Sequence, residues 1–99
     1  MVRVPSYVML LTWTDQGVRT AKDTVKRADA FKKQAEKMGV KVRETLWTMG
    51  QYDAVSLFDA PDDPAASRLA IWIGSQGNVK TLTMRCYAAA EMSKIVEGI

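Results

Sequence analysis

The chain has 99 residues, 47% hydrophobic and 25% charged, with 14 basic against 11 acidic residues and a net charge of +3. That length and composition fit one globular domain over residues 1–99 and leave no room for a second core. No apolar run reaches the roughly 20 residues of a membrane span. The opening Met1-Val2-Arg3-Val4-Pro5 lacks a signal-peptide core, and the lone Cys86 cannot close an internal disulfide, so we expect a cytoplasmic protein.

Residues 6–14 are apolar, β-branched or aromatic and read as a first strand. Thr14-Asp15-Gln16-Gly17 supplies oxygens to cap a helix start. Val18, Ala21, Val25, Ala28, Phe31, Ala35 and Met38 then recur at steps of three and four, predicting one helix over 17–38. Gly39 follows where a left-handed residue is wanted. The basic residues of this segment are interspersed with acids and read as a solvated face, so no nucleic-acid partner is expected. Residues 40–49 and 52–59 are the next two strands, joined by Gly50-Gln51 in a type II′ turn. Pro61-Asp62-Asp63-Pro64 opens a second helix, with Leu69, Trp72 and Ile73 as core residues, ending between Gly74 and Gly77. A fourth strand over 79–88 and a tail helix over 89–98 complete the chain. The order is β-α-β-β-α-β plus a C-terminal helix: an α+β, ferredoxin-like fold with a four-stranded antiparallel sheet.

The turn sets a register in which Met49 faces Tyr52, Trp47 faces Ala54, Thr45 faces Ser56 and Arg43 faces Phe58. Alternation then divides the sheet into two sets. The aliphatic set is Val8, Leu10, Val42, Leu46, Val55, Leu57, Leu82 and Met84, expected beneath the helices together with Glu44, Asp53 and Cys86. The aromatic and mixed set holds Tyr7, Met9, Leu11, Trp13, Trp47, Met49, Tyr52, Phe58 and Tyr87, expected on the other face. Two helices cannot cover both faces, so a second copy packed sheet to sheet is expected. An aromatic sheet that binds single-stranded RNA is the competing reading. It needs basic residues on the central strand, and residues 7–13 have none.

Four segments carry a family resemblance: Thr14-Asp15-Gln16-Gly17, Gly50-Gln51-Tyr52-Asp53, Ala60-Pro61-Asp62-Asp63 and Gly77-Asn78-Val79-Lys80-Thr81-Leu82-Thr83. In this order they resemble the GYD domain family, small bacterial and archaeal proteins of largely unknown function. The resemblance implies a ferredoxin-like fold of the dimeric α/β-barrel kind and no particular activity.

Histidine is absent, which removes serine–histidine and cysteine–histidine nucleophile systems and most zinc sites. Glu44, mid-strand between Val42 and Leu46, is the first acid/base candidate. Asp53 is the second, with a hydrogen-bonding role near the turn as the plainer reading. Trp13, Trp47, Tyr52, Arg85 and Tyr87 are candidates to line a ligand pocket, and equally to form dimer interface. Asp59, Asp62 and Asp63 read as capping residues and not as a metal site; Gly74-Ser75-Gln76-Gly77 follows a helix, so it is no phosphate loop. No metal, cofactor or membrane partner is expected. The reading is a homodimeric small-ligand-binding or assembly module without catalysis; the alternative is a cofactor-independent enzyme, monooxygenase- or isomerase-like, using a pocket in a dimeric α/β barrel.

Overall fold

A computed structural model describes residues 4–99, and the expected element order runs through it. Met1, Val2 and Arg3, part of the segment read as lacking a leader, lie outside the described residues. The elements are β1 (Ser6–Trp13), α1 (Asp15–Arg19), a 3₁₀ turn (Ala21–Asp23), α2 (Thr24–Lys37), β2 (Lys41–Trp47), β3 (Ala54–Asp59), α3 (Asp63–Ser75), β4 (Val79–Cys86) and α4 (Ala89–Val96). The strands form one antiparallel sheet in the order β2-β3-β1-β4. α2 packs on β2 and α3 on β4, so both crossovers return over one face. This is the ferredoxin-like fold.

The single helix predicted over 17–38 is broken in the structure. Thr20 leaves helical geometry at φ −111°, ψ 31°. Arg27 of α2 donates to the carbonyls of Thr20 at 3.0 Å and Gly17 at 3.1 Å, satisfying the orphan acceptors that end α1. The apolar period runs on through the break, so spacing alone does not reveal it.

Two of the quoted segments turn out to be halves of one contact. Thr14 Oγ1 accepts from the Gly17 amide at 3.1 Å and donates to the Gly77 carbonyl at 2.6 Å, while the Thr14 amide donates to the Asn78 carbonyl at 3.1 Å. A Cβ on Gly17 would lie 1.9 Å from that Asn78 oxygen. Glycine is required here for space, because α1 starts directly against the β4 approach.

Alternation along β1, β3 and β4 is as expected, but the faces are reversed; in β2 a bulge leaves Val42 beneath the helices as expected. Tyr7, Met9 and Phe58 lie under the helices, with Met9 and Phe58 fully buried. Tyr7 and Phe58 stack at 5.4 Å between centroids. Val8, Leu10, Val55 and Leu57 instead share the uncovered face with Leu46 (52% exposed), Leu82 (48%) and Met84 (44%). The reason is volume. The helices point Ala28, Ala35, Ala65, Ala66 and Ala70 toward the sheet beside Phe31, Leu69 and Ile73, so large sheet residues are needed opposite the alanines to fill the interior to native density. Cys86 belongs to the uncovered face, opposite Ser6.

A bulge between Val42 and Glu44 shifts the predicted β2 register, so that Val42, not Arg43, faces Phe58. Val42 is thereby buried and Glu44 is exposed beside Leu57 on the uncovered face. The freed Arg43 pairs with Asp59 at 3.3 Å and donates to Ser6 Oγ at 3.2 Å.

The molecule measures 48 × 30 × 18 Å. Its thinnest dimension is one sheet plus one helical layer of about 10 Å each. α4 contributes no buried residue, and its Met92, Ile95 and Val96, with the following Ile99, are all exposed. Arg85 holds its base through an ion pair to Glu91 at 3.5 Å, and Glu91 accepts from the Ala88 amide at 3.2 Å.

We expect Phe58→Ala to destabilise the fold by about 3–5 kcal/mol in urea denaturation, the cost of emptying a buried aromatic site. A loss nearer ~1 kcal/mol would place Phe58 on the open side instead. Gly17→Ala should cost about 1–3 kcal/mol or more, because the clash is with main chain that cannot rotate away.

Candidate functional site

The diverging helices leave a gap over the central strands at one end of the domain. It opens where β1 ends at Trp13, β2 ends at Trp47, α2 begins at Thr24 and α3 gives way to Gln76. Small side chains border it, Ala28 from α2 and Ala54 and Ser56 from β3, so the space stays unfilled. The result is a cleft of about 120 Å³ whose walls are mostly apolar. All three tryptophans of the chain, Trp13, Trp47 and Trp72, line it, with Phe31 and Leu11.

Polar groups at the cleft are held firmly. Trp47 Nε1 donates to Thr24 Oγ1 at 2.9 Å, clamping the β2 edge to the start of α2. Thr45 and Ser56 share a hydroxyl hydrogen bond of 2.9 Å on the floor. Asp53 accepts from the Trp13 amide through Oδ2 at 2.8 Å, and its own amide donates to the Leu11 carbonyl at 2.8 Å. The Asp53 carboxylate thus extends the β1–β3 pairing past the end of the ladder. Arg27 is committed to the α1 carbonyls described above.

Among the residues singled out from sequence, Trp13, Trp47 and Asp53 meet at this cleft. Tyr52 stays in the hairpin loop, its carbonyl accepting from Thr48 Oγ1 at 2.6 Å. Gly50 has a φ of +116°, but the two-residue turn and the Met49–Tyr52 pair expected at Gly50-Gln51 do not form. β2 ends at Trp47, β3 begins at Ala54, and the Thr48 amide donates to the Asp53 carbonyl at 2.9 Å across a wider loop. Arg85 and Tyr87 lie at the opposite end of the sheet, roughly 20 Å away by strand rise. Glu44 faces neither place: it is exposed on the uncovered face, not under the helices as expected. Sequence reasoning misses Phe31, Trp72 and Arg27 as cleft residues. The spacing marks Phe31 and Trp72 only as helix core residues, and the helix break that anchors Arg27 beside Thr20 is silent in the periodicity.

The far end is a cation–aromatic cluster. The Arg85 guanidinium sits 4.6 Å from the Tyr87 ring centroid and 5.7 Å from that of Tyr7. It also donates to the carbonyls of Ser6 and Cys86. The acid that Arg85 meets is thus Glu91 of its own chain. Tyr7 donates its hydroxyl to Asp63. Burial and that carboxylate together push the Tyr7 phenol up to about 12. Asp62 caps α3, accepting from the Ala65 amide at 2.9 Å. Asp59, Asp62 and Asp63 therefore have three separate structural tasks.

The profile of the GYD domain matches residues 7–96. The chain belongs to the GYD domain family. A relative from Thermus thermophilus, named glutamine synthetase and cystathionine beta-lyase binding protein, is 29% identical over 90 residues, covering 90% of this chain and 95% of the relative. A crystal structure of a protein provisionally assigned as a chlorite dismutase superposes with a TM-score of 0.53 at 20% identity. The match covers 96% of this GYD chain but only 47% of that protein, and it shows a shared fold alone. No helix among the described residues is long and apolar enough to cross a membrane.

The raised Tyr7 phenol gives a signed pH dependence. Its folded value lies above the ordinary 10, so its contribution is intact below pH 10 and is lost as the pH rises toward about 12. Tyr7→Phe should cost about 1 kcal/mol at neutral pH through the lost hydrogen bond. Denaturation curves of both proteins should converge through the alkaline range; a gap independent of pH there would refute the assignment.

Proposed function

We propose that this GYD domain protein is a non-catalytic binding module, a homodimer joined through the uncovered sheet face that presents its outer surfaces to other proteins. The observation that carries this reading is the aliphatic face itself. Four strands at their usual spacing and rise make a face of roughly 19 × 26 Å, about 500 Å². Ser6, Thr12, Glu44 and Lys80 share this face with its aliphatic residues, so its apolar patch is smaller than that footprint. It lies at the scale of the ~300–600 Å² largest patches of soluble proteins, which are often functional. A stable interface needs about 800 Å² per partner. The exposed Met92, Ile95 and Val96 of α4, which follows β4 in sequence, form a second unburied apolar surface.

Two more observations support the reading. The Thermus relative, alike over nearly its full length, is named for binding two enzymes. Proton-transfer chemistry, as the enzyme alternative requires, needs an ionisable group free to face a substrate; at the cleft, Asp53 and Arg27 are engaged with main-chain groups. A lone half-buried cysteine suits the reducing cytoplasm of a bacterium or archaeon.

Light scattering at micromolar concentration should give the dimer mass. Leu10→Asp, which places a charge mid-face without touching the interior, should give a folded monomer with an unchanged circular dichroism spectrum. A wild-type monomer would overturn the dimer. Co-elution of the wild-type protein with the glutamine synthetase or cystathionine β-lyase of its own source would extend the relative's binding to this chain; failure with both would confine it to the relative.

A further inference from the structure

The three-tryptophan cleft is a built cavity that the binding-module reading does not use. It opens on the helix side, away from the face assigned to the second copy, so both can be occupied together. We infer that it binds a small, neutral, single-ring aromatic compound of the phenol type.

Size sets the first limit. A volume of about 120 Å³ is close to the roughly 150 Å³ of an apolar cavity that takes up benzene. A fused two-ring ligand or a nucleotide would have to extend through the open side of the cleft into solvent. Lining sets the second limit. Trp13, Trp47, Trp72 and Phe31 present ring faces and edges, and flat aromatic ligands gain offset-stacked or edge-to-face contacts with such walls. Charge sets the third. Arg27 and Asp53 border the space with opposite sign, and each is already held by main-chain groups. Neither is free to hold a ligand carboxylate or ammonium, and desolvating an ion in this apolar space is unfavourable.

A single polar substituent does have somewhere to go. Gln76 and Asn78 border the cleft, and Gln76 Nε2 donates to Ser75 Oγ at 3.4 Å. Asn78 Oδ1 accepts from Gln16 at 3.0 Å, which leaves its NH₂ group available to a ligand oxygen. The clamp between Trp47 and Thr24 lies across the β2 side of the opening, so uptake and release involve the most exposed of the lining rings. Small side chains at Ala28 and Ala54 are what keep the site open.

Since every tryptophan of the chain lines the cleft, the protein carries its own reporter. Titration of the purified chain with phenol, followed by tryptophan emission and by calorimetry, should saturate with a dissociation constant of about 1 mM or tighter, within reach of a ligand of about seven non-hydrogen atoms. In nitrogen–proton correlation spectra the indole signals should shift, while backbone signals around Arg85 and Tyr87 stay fixed. Benzoate should bind at least about tenfold more weakly than phenol, and Ala28→Phe should weaken phenol about tenfold or more by filling the space. The readouts are separate from the oligomeric state, so this inference and the dimer can fail independently. A linear, unsaturable response to phenol would overturn it, as would shifts centred away from the indoles. Equal affinity for benzoate would refute the neutral ligand class. If Ala28→Phe does not fold, the indole shifts of the wild-type protein decide.

Discussion

Alanines on the inner surfaces of α2 and α3 are the constraint from which the rest of this structure follows. A helix that offers Ala28, Ala35, Ala65, Ala66 and Ala70 to a sheet leaves a wide gap, and an unfilled gap forfeits dispersion contacts on every side. The sheet closes it with Phe58, Met9 and Tyr7, which meet Phe31, Leu69 and Ile73 from the helices. That choice commits the opposite alternation, Val8, Leu10, Val55, Leu57, Leu82 and Met84, to the uncovered side. The same constraint explains the cleft. Where the sheet also offers small residues, Ala54 and Ser56, nothing fills the space between the diverging helices, and the tryptophans at the strand and helix ends form its rim.

Much of the architecture is legible in the residues. Caps and turn residues mark the elements: Thr14 before α1, Asp62 before α3, Gly50 in the hairpin. Period-two alternation separates the residues of β1, β3 and β4 correctly into two groups and fails in β2 only at Val42 and Arg43, before the bulge. What alternation cannot do is say which group faces inward, because both groups here are apolar. Hydrophobicity favours the aliphatic set equally well. Only the volumes of the facing helix residues break the tie, and those are known once the helices are placed over the sheet. The β2 bulge is hidden for a similar reason. Arg43 and Val42 each fit one strict alternation, and the gain from pairing Arg43 with Asp59 while burying Val42 decides between them.

The site is legible in part. Trp13 and Trp47 stand out as pocket residues in the sequence and do share a cleft, joined by Asp53. Arg85 and Tyr87 belong to the same alternation set as these tryptophans, but strand length puts them at the other end of the sheet, and Tyr52 stays in the hairpin loop. The family signature itself proves to be architectural. Its glycine provides a positive φ, its tyrosine remains in the loop, and its aspartate stitches β3 to the end of β1. Thr14, Gly17 and Asn78 likewise hold one junction, with Gly17 small because a carbonyl occupies the place of its side chain. Motifs of this kind can persist across proteins with different partners, because they fix the scaffold and leave the surfaces free.

A domain this small buries a modest fraction of its surface, and this one leaves an entire sheet face and an amphipathic helix without internal cover. Those features are costly in a monomer and useful in an assembly. The two proposed surfaces also differ in kind. The sheet face is flat, aliphatic and broad, suited to a protein surface; the cleft is narrow and aromatic, suited to a single ring. They back onto the same two central strands: Leu10 points to one side, and its neighbours Met9 and Leu11 point to the other. A ligand that tightens the packing around Leu11 and Ala54 therefore acts on the strands that would carry the dimer contact. Coupling between the two sites requires no long path, only that the central pair of strands has more than one packing arrangement.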